Sequence, residues 1–321
     1  MTNDLAHAGQ AADIATIRLA GGALGFNWLP VFIGQEAGIF ARRGVNVELQ
    51  RMGSVDKATA AVRSGEADLA FTPPEGAIAD GVQGGELRII AGNVNRLPLT
   101  LVANPKFRRI EDLRGARLGT SSLTEGTAIY TREMLAQHGL TYPGDYEFAV
   151  VGVHPARWQA LQEERIEAAV QLIPLNFVAI DAGYSNLGEV SDVIPEIVFT
   201  ALVGKSTWIA RNEAAVLSLL SGLIEATDFI YDPANDASTL PTVMRITSAN
   251  EAYARKSLDY MRAKGVFSRD LGIPEAARSK TVELMTKASL LDPDARDAVA
   301  PLFDLRLAER ANAALDAGFR E

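Results

Sequence analysis

The chain has 321 residues, 48% of them hydrophobic, enough to fill a sizeable core and to build two domains. Its formal net charge is -9, and no Lys/Arg run exceeds the pairs Arg42-Arg43 and Arg108-Arg109, which argues against a phosphate-backbone binder; nucleic acid is not an expected partner. It has no cysteine, which removes disulfides, thiolate metal sites and Cys nucleophiles, and His7, His138 and His154 lie too far apart for metal-ligand spacing, so no metal is expected.

Residues 1–22, MTNDLAHAGQAADIATIRLAGG, carry neither the basic start nor the apolar core of a signal peptide. The expectation is a periplasmic protein where an export signal precedes this segment, and a cytoplasmic one otherwise. No stretch approaches the ~18 consecutive apolar residues of a membrane span, so membrane insertion is not expected.

In chain order, ATIRLAGG (15–22) reads as a buried strand, followed by a helix from about Asn27 to Arg43. Leu29, Ile33, Ala37 and Phe40 share one face of that helix, and Gly44 offers a left-handed stop. A strand at 45–52, a helix at 54–67 capped by Ser54, and strands at 68–72 and 87–94 complete a run of βαβ units. That alternation implies a mostly parallel sheet covered by helices. The pattern restarts with a strand at 99–105, one at 117–122, a helix at 125–139, a strand at 146–153 and a helix at 156–166. A strand from 168 ends in a Pro-Asn loop, and after 193–210 everything reads as helical. The organisation expected is two α/β lobes: 1–102 as the first part of lobe I, 103–203 as lobe II, and 204–321 as a return whose helical tail packs on lobe I.

Ligands of open parallel sheets sit beyond the carboxyl ends of strands, where loops enter helices. Four places meet that rule. In the first, Phe26 and Asn27 offer a ring and an amide to a ligand, while Trp28 either walls the cleft or staples the helix start to the core. Gly21, Gly22 and Gly25 do not form G-x-G-x-x-G, so a dinucleotide gains no support and no cofactor is expected. In the second, FTPPEG (71–76), two prolines stiffen a turn that presents Thr72 and Glu75; Asn93 lies at the end of the next strand. In the third, GTSSLTEGTA (119–128), Thr120, Ser121, Ser122, Thr124 and Thr127 lead into a helix whose free N–H groups suit an anion. The bland alternative there is a simple N-cap, and Glu125 would compete with an anion for the same dipole. The fourth combines His154 and Trp158 with Asn176 and Phe177.

The ordered segments NWLPVFIGQEAGIFARRGVNVEL, AVRSGEADLAFTPPEG, RRIEDLRGARLGTSSLTEGT, ALQEERIEAAVQLIPLN and TWIARNEAAVLSLLSGLIEAT carry a resemblance. The chain resembles the solute-binding proteins of ABC importers over about residues 15–235, within the NMT1/THI5-like group of sulfonate, taurine and thiamine-precursor binders. The resemblance implies a two-lobed type II periplasmic-binding-protein fold with two crossing strands, a small acidic or aromatic solute in the cleft, and an ABC permease as partner. It also leaves open an enzyme on the same scaffold. The pyrimidine-forming and desulfinase types lean on cysteines that this chain lacks, and a decarboxylase would have only His154 and Arg157 to work with. A cytoplasmic sensor domain is a third class, without an attached signalling module to support it. Fold alone does not choose among them.

Overall fold

The computed structural model describes residues 14–124 and 126–318. The N-terminal stretch read for an export signal, with His7, and Glu125 lie outside them. Ten strands form two separate sheets among the described residues. The first contains β1 (Ala15–Gly21), β2 (Val45–Arg51), β3 (Leu69–Thr72), β4 (Leu87–Val94) and β10 (Thr200–Lys205), in the order β2-β1-β3-β10-β4. The second contains β5 (Leu99–Ala103), β6 (Arg117–Thr120), β7 (Glu147–Val150), β8 (Ala168–Leu172) and β9 (Ser185–Glu189), in the order β7-β6-β8-β5-β9.

Both sheets are parallel where βαβ units build them and antiparallel where the chain returns. β1 runs parallel to β2 and β3, whereas β10 lies antiparallel to β3 and β4. In the second sheet β6 is parallel to β7 and β8, whereas β5 is antiparallel to β8 and β9. The limits expected at 102 and 203 fall inside β5 and β10. Each strand stays whole, so the chain passes between the sheets just before β5 and again just before β10.

The helices are α1 (Leu29–Glu36), α2 (Ile39–Arg42), α3 (Val55–Ser64), α4 (Glu75–Val82), α5 (Thr127–Ala136), α6 (His154–Gln162), α7 (Leu175–Asp181), α8 (Val190–Val193), α9 (Ser206–Arg211), α10 (Glu213–Tyr231), α11 (Asp236–Thr247), α12 (Glu251–Lys264), α13 (Glu275–Lys287) and α14 (Arg306–Gly318). Ser54 caps α3 as its sequence predicts, its Oγ accepting from the Lys57 N–H at 3.2 Å. The helix expected from Asn27 to Arg43 is instead a 3-10 turn at Phe26–Trp28 followed by α1 and α2, because Gly38 adopts φ 66° between them. The Pro-Asn loop is the first turn of α7. Three elements escaped the sequence reading: α4, whose EGAIADGV holds two glycines, β9, a polar edge strand without apolar alternation, and the one-turn helix α8 that follows it.

α10 is long and apolar enough to cross a membrane by length and composition. Its apolar side chains are spent on packing: Val216, Leu219, Leu220 and Leu223 are buried in the core that α10 shares with α1 and α14 on the first sheet. The tail also reaches the second lobe. Tyr253 and Tyr260 donate to Asp181 and Glu189 at 2.9 Å each, and Lys287 pairs with Glu133 at 3.3 Å.

Candidate functional site

The strand ends and helix starts of both sheets face one another across a cavity of about 50 Å³. Gly22, Ala23, Asn27, Trp28, Val55, Phe71 and Pro73 line it from the first lobe, Ser121, Gly126, Thr127, Val153, His154 and Arg157 from the second, and Phe199 and Thr200 from the segment entering β10. Larger grooves around Arg278 are open, mixed in charge, and away from these strand ends. The lobes touch at the rim: Ser122 Oγ donates to Asp56 Oδ1 at 3.1 Å, and the Gly126 N–H donates to Glu75. Gly126 has φ 58° and ψ -122°, a backbone that L side chains rarely adopt, and Pro73 lies against it. Glycine there permits both the turn into α5 and the close approach of the lobes.

Arg157 dominates the chemistry. It stands on α6, one turn in from the helix start, and is 1% exposed, as deeply buried as Trp28. Its Nη1 donates to Thr127 Oγ1 at 2.9 Å and its Nη2 to His154 Nδ1 at 2.6 Å, while its Nε is buried with no partner. It forms no ion pair with any described residue. Burial pushes its pKa down to about 9, which measures how poorly this guanidinium is compensated. A buried cation at the wall of a cavity, with a donor unspent, has the chemistry to accept an anion. The N-termini of α5 and α6 open on the same cavity, neither with a side-chain cap bond, and add partial positive charge.

His154 holds Arg157 in place. Its Nδ1 also accepts from the Leu172 N–H at 3.2 Å, and its ring bonds to the backbone at Val170. Two N–H donors on Nδ1 assign the proton to Nε2 and keep the ring neutral. Burial first, and the Arg157 charge second, hold its pKa well below the ordinary histidine value. This geometry makes His154 a bracket for the guanidinium.

The structure brings Asn27, Trp28, Ser121, Thr127 and His154 to the cavity. Other candidates sit behind it. Asn93 donates to the Asn27 carbonyl at 2.8 Å and to Thr200 Oγ1 at 3.1 Å, bracing two lining residues. Thr120 donates to the Ser122 carbonyl at 2.9 Å and lies 3.3 Å from Thr127 Oγ1. Ser122 and Thr124 bond each other at the rim, and Glu75 lies between the lobes beneath it. Four other candidates turn away from the cavity. Phe26 turns away and stacks on Phe267, with ring centroids 5.7 Å apart. Thr72 faces Thr59 inside the first lobe, because the strand alternation puts Phe71 on the cavity side. Trp158 packs edge-on to Tyr184 at 5.0 Å, and Asn176 donates to Thr100 at 2.9 Å while bonding the Phe177 N–H. Trp28 fills both alternatives: it lines the cavity and packs over Gly21 and edge-on to Phe71. Phe199 and Thr200 were missed, although the start of a crossing strand is a place to look for them.

Two α/β lobes with strand ends facing across an interlobe cavity, joined by a chain that crosses between them and returns, define the periplasmic-binding-protein fold. The NMT1/THI5-like family model matches residues 25–237, and the chain belongs to that family. No curated protein matches the sequence significantly. Among solved structures, a Bordetella bronchiseptica RB50 protein aligns at TM-score 0.78 and 19% identity, covering 96% of this chain and 100% of that one. The alkanesulfonate-binding protein SsuA from Xanthomonas axonopodis pv. citri, bound to MOPS, aligns at TM-score 0.73 and 16% identity, covering 91% and 99%. The periplasmic nitrate-binding protein NrtA from Synechocystis PCC 6803 aligns at TM-score 0.75 and 16% identity, covering 94% and 89%. At these identities the likeness is one of fold.

Proposed function

We propose that the protein captures a small organic anion between its lobes, without chemical change, and presents it to an ABC permease. Arg157 is the observation that carries this reading: a fully buried guanidinium without an acidic partner, its Nε unspent, at a cavity that two helix N-termini also face. In the liganded state the anion accepts from Arg157 and from N–H groups at the starts of α5 and α6, with Ser121 and Asn27 as further polar contacts. Trp28, Phe71 and Phe199 supply the apolar wall. The cavity volume of about 50 Å³ is room for a few waters, so the closed cleft suits a compact acid head with little beyond it.

The same proposal places a hinge at the passages before β5 and before β10 and divides the chain there, a few residues ahead of the expected limits at 102 and 203. It places the protein in the periplasm, the compartment of the nitrate-binding protein NrtA, which shares this fold. That relatives of fold bind nitrate and alkanesulfonates, both anions, agrees with the charge of the cavity.

Calorimetry with ethanesulfonate and acetate, against ethanol as a neutral control, tests the reading. The anions should bind and the alcohol should not. Ethanol binding as tightly as the acids would refute it.

A further inference from the structure

The anion site leaves one buried acid unexplained. Glu75 opens α4 on the first lobe and is 2% exposed. Its carboxyl accepts from the Gly126 N–H and bonds the Tyr130 hydroxyl, both on the second lobe; that hydroxyl also donates to the Val198 carbonyl at 3.3 Å, and the Glu75 Oε2 is buried without a partner. Closure therefore takes this carboxyl out of water and sets it at the start of α5, beside the place proposed for the ligand. We propose that Glu75 is a proton-linked latch: the lobes close on the anion with Glu75 neutral, so that ligand capture takes up a proton. This rests on the anion-binding reading of the cavity.

Burial is what favours a neutral Glu75. Its own backbone N–H, the Gly126 N–H and the Tyr130 hydroxyl face it and by themselves favour the charged form, but burial outweighs them and no described Lys or Arg pairs with it. Arg157 is engaged by Thr127 and His154, and Asp56 at the rim is bonded to Ser122. Burial pushes the Glu75 carboxyl up to about 7 in this closed arrangement. An ionised Glu75 would also put a second negative charge against the dipole that holds the ligand.

The sign follows from linkage. Open, Glu75 titrates as an ordinary carboxyl; closed, it holds its proton up to about pH 7. Between those values closure binds a proton, so affinity falls as pH rises through the window, by up to ~10-fold per unit, and levels off above it. His154 does not mimic this, because its ring contacts to Arg157, Val170 and Leu172 all lie within the second lobe.

Two readouts decide it. The first is calorimetry with ethanesulfonate, which does not titrate in this range, near pH 5.8 in buffers of different ionisation enthalpy. The wild type should take up ~0.9 proton per ligand, and Glu75→Gln close to none. Binding without proton uptake in the wild type overturns the latch while leaving the anion site intact. The second readout needs no ligand. The chain has no cysteine, so Lys57→Cys and Leu123→Cys, both at exposed positions flanking the Asp56–Ser122 contact, accept spin labels cleanly. If ethanesulfonate does not bind, the anion reading fails and the label distances decide alone. A short-distance population that grows from pH 8 to pH 5, and does not in Glu75→Gln, supports the latch. Identical distributions at both pH values overturn it.

Discussion

Replacing Arg157 with methionine should make the protein more stable and less able to bind. The guanidinium is 1% exposed and its pKa falls to about 9 through burial. At ~1.36 kcal/mol per pKa unit, holding the charge in the unliganded fold costs on the order of 5 kcal/mol. The side chain returns part of that through its bonds to Thr127 and His154. Removing it strands neither partner. Thr127 Oγ1 keeps Thr120 at 3.3 Å, and His154 Nδ1 keeps the Leu172 N–H at 3.2 Å. Methionine restores most of the volume in a flexible apolar form. The net expected from replacing an uncompensated buried charge is a gain of about 1–3 kcal/mol in urea unfolding without ligand. Affinity for an anion should fall by about 2–5 kcal/mol, because a buried charge-assisted bond is lost. A variant that is less stable by ~2 kcal/mol, and binds anions like the wild type, would make Arg157 a structural residue and refute the reasoning.

Three further outcomes follow from the same geometry. Gly126→Ala should destabilise the closed form by about 1–3 kcal/mol, seen as weaker ligand binding, because φ 58° and ψ -122° strain any L residue; unchanged affinity would mean that closure does not use this turn. Trp28→Ala should lower unfolding free energy by about 3–5 kcal/mol, since the ring is 1% exposed against Phe71 and Gly21; a loss confined to ligand binding would make it a wall and nothing more. His154 is held neutral in the fold while the unfolded chain protonates below ~6.5, so stability falls with pH through that value; His154→Gln should keep about 1 kcal/mol more of its neutral-pH stability at pH 5.5. Equal losses in both proteins would contradict the bracketing role.

Most of the scaffold was legible because its signals are local. β1, β2, β3 and β4 alternate with helices, and Ser54 sits where an N-cap must. What failed was local in another sense. Gly38 splits one apolar stripe into two helices, and β9 has a polar sequence that only its pairing with β5 organises. The placement rule for parallel sheets led to loops that line the cavity, and through them to Asn27, Trp28, Ser121, Thr127 and His154. It could not tell which way a side chain turns at those loops. Phe26 and Trp28 lie two residues apart in one turn, yet Phe267 takes the first ring and the cavity receives the second. Trp158 is next to Arg157 on α6 and therefore points elsewhere. Arg157 itself was visible as the basic residue nearest His154, but its weight comes from burial without a counter-ion, which no spacing in the sequence reveals.

The central claim, an anion held by Arg157, is tested most directly by what the protein retains. Native mass spectrometry of the wild type and of Arg157→Met, purified in parallel, reads the bound solute without knowing it beforehand. A small, chemically intact acid on the wild type and its absence from the variant is the expected result. A neutral or cationic solute, or equal retention by both proteins, would contradict it.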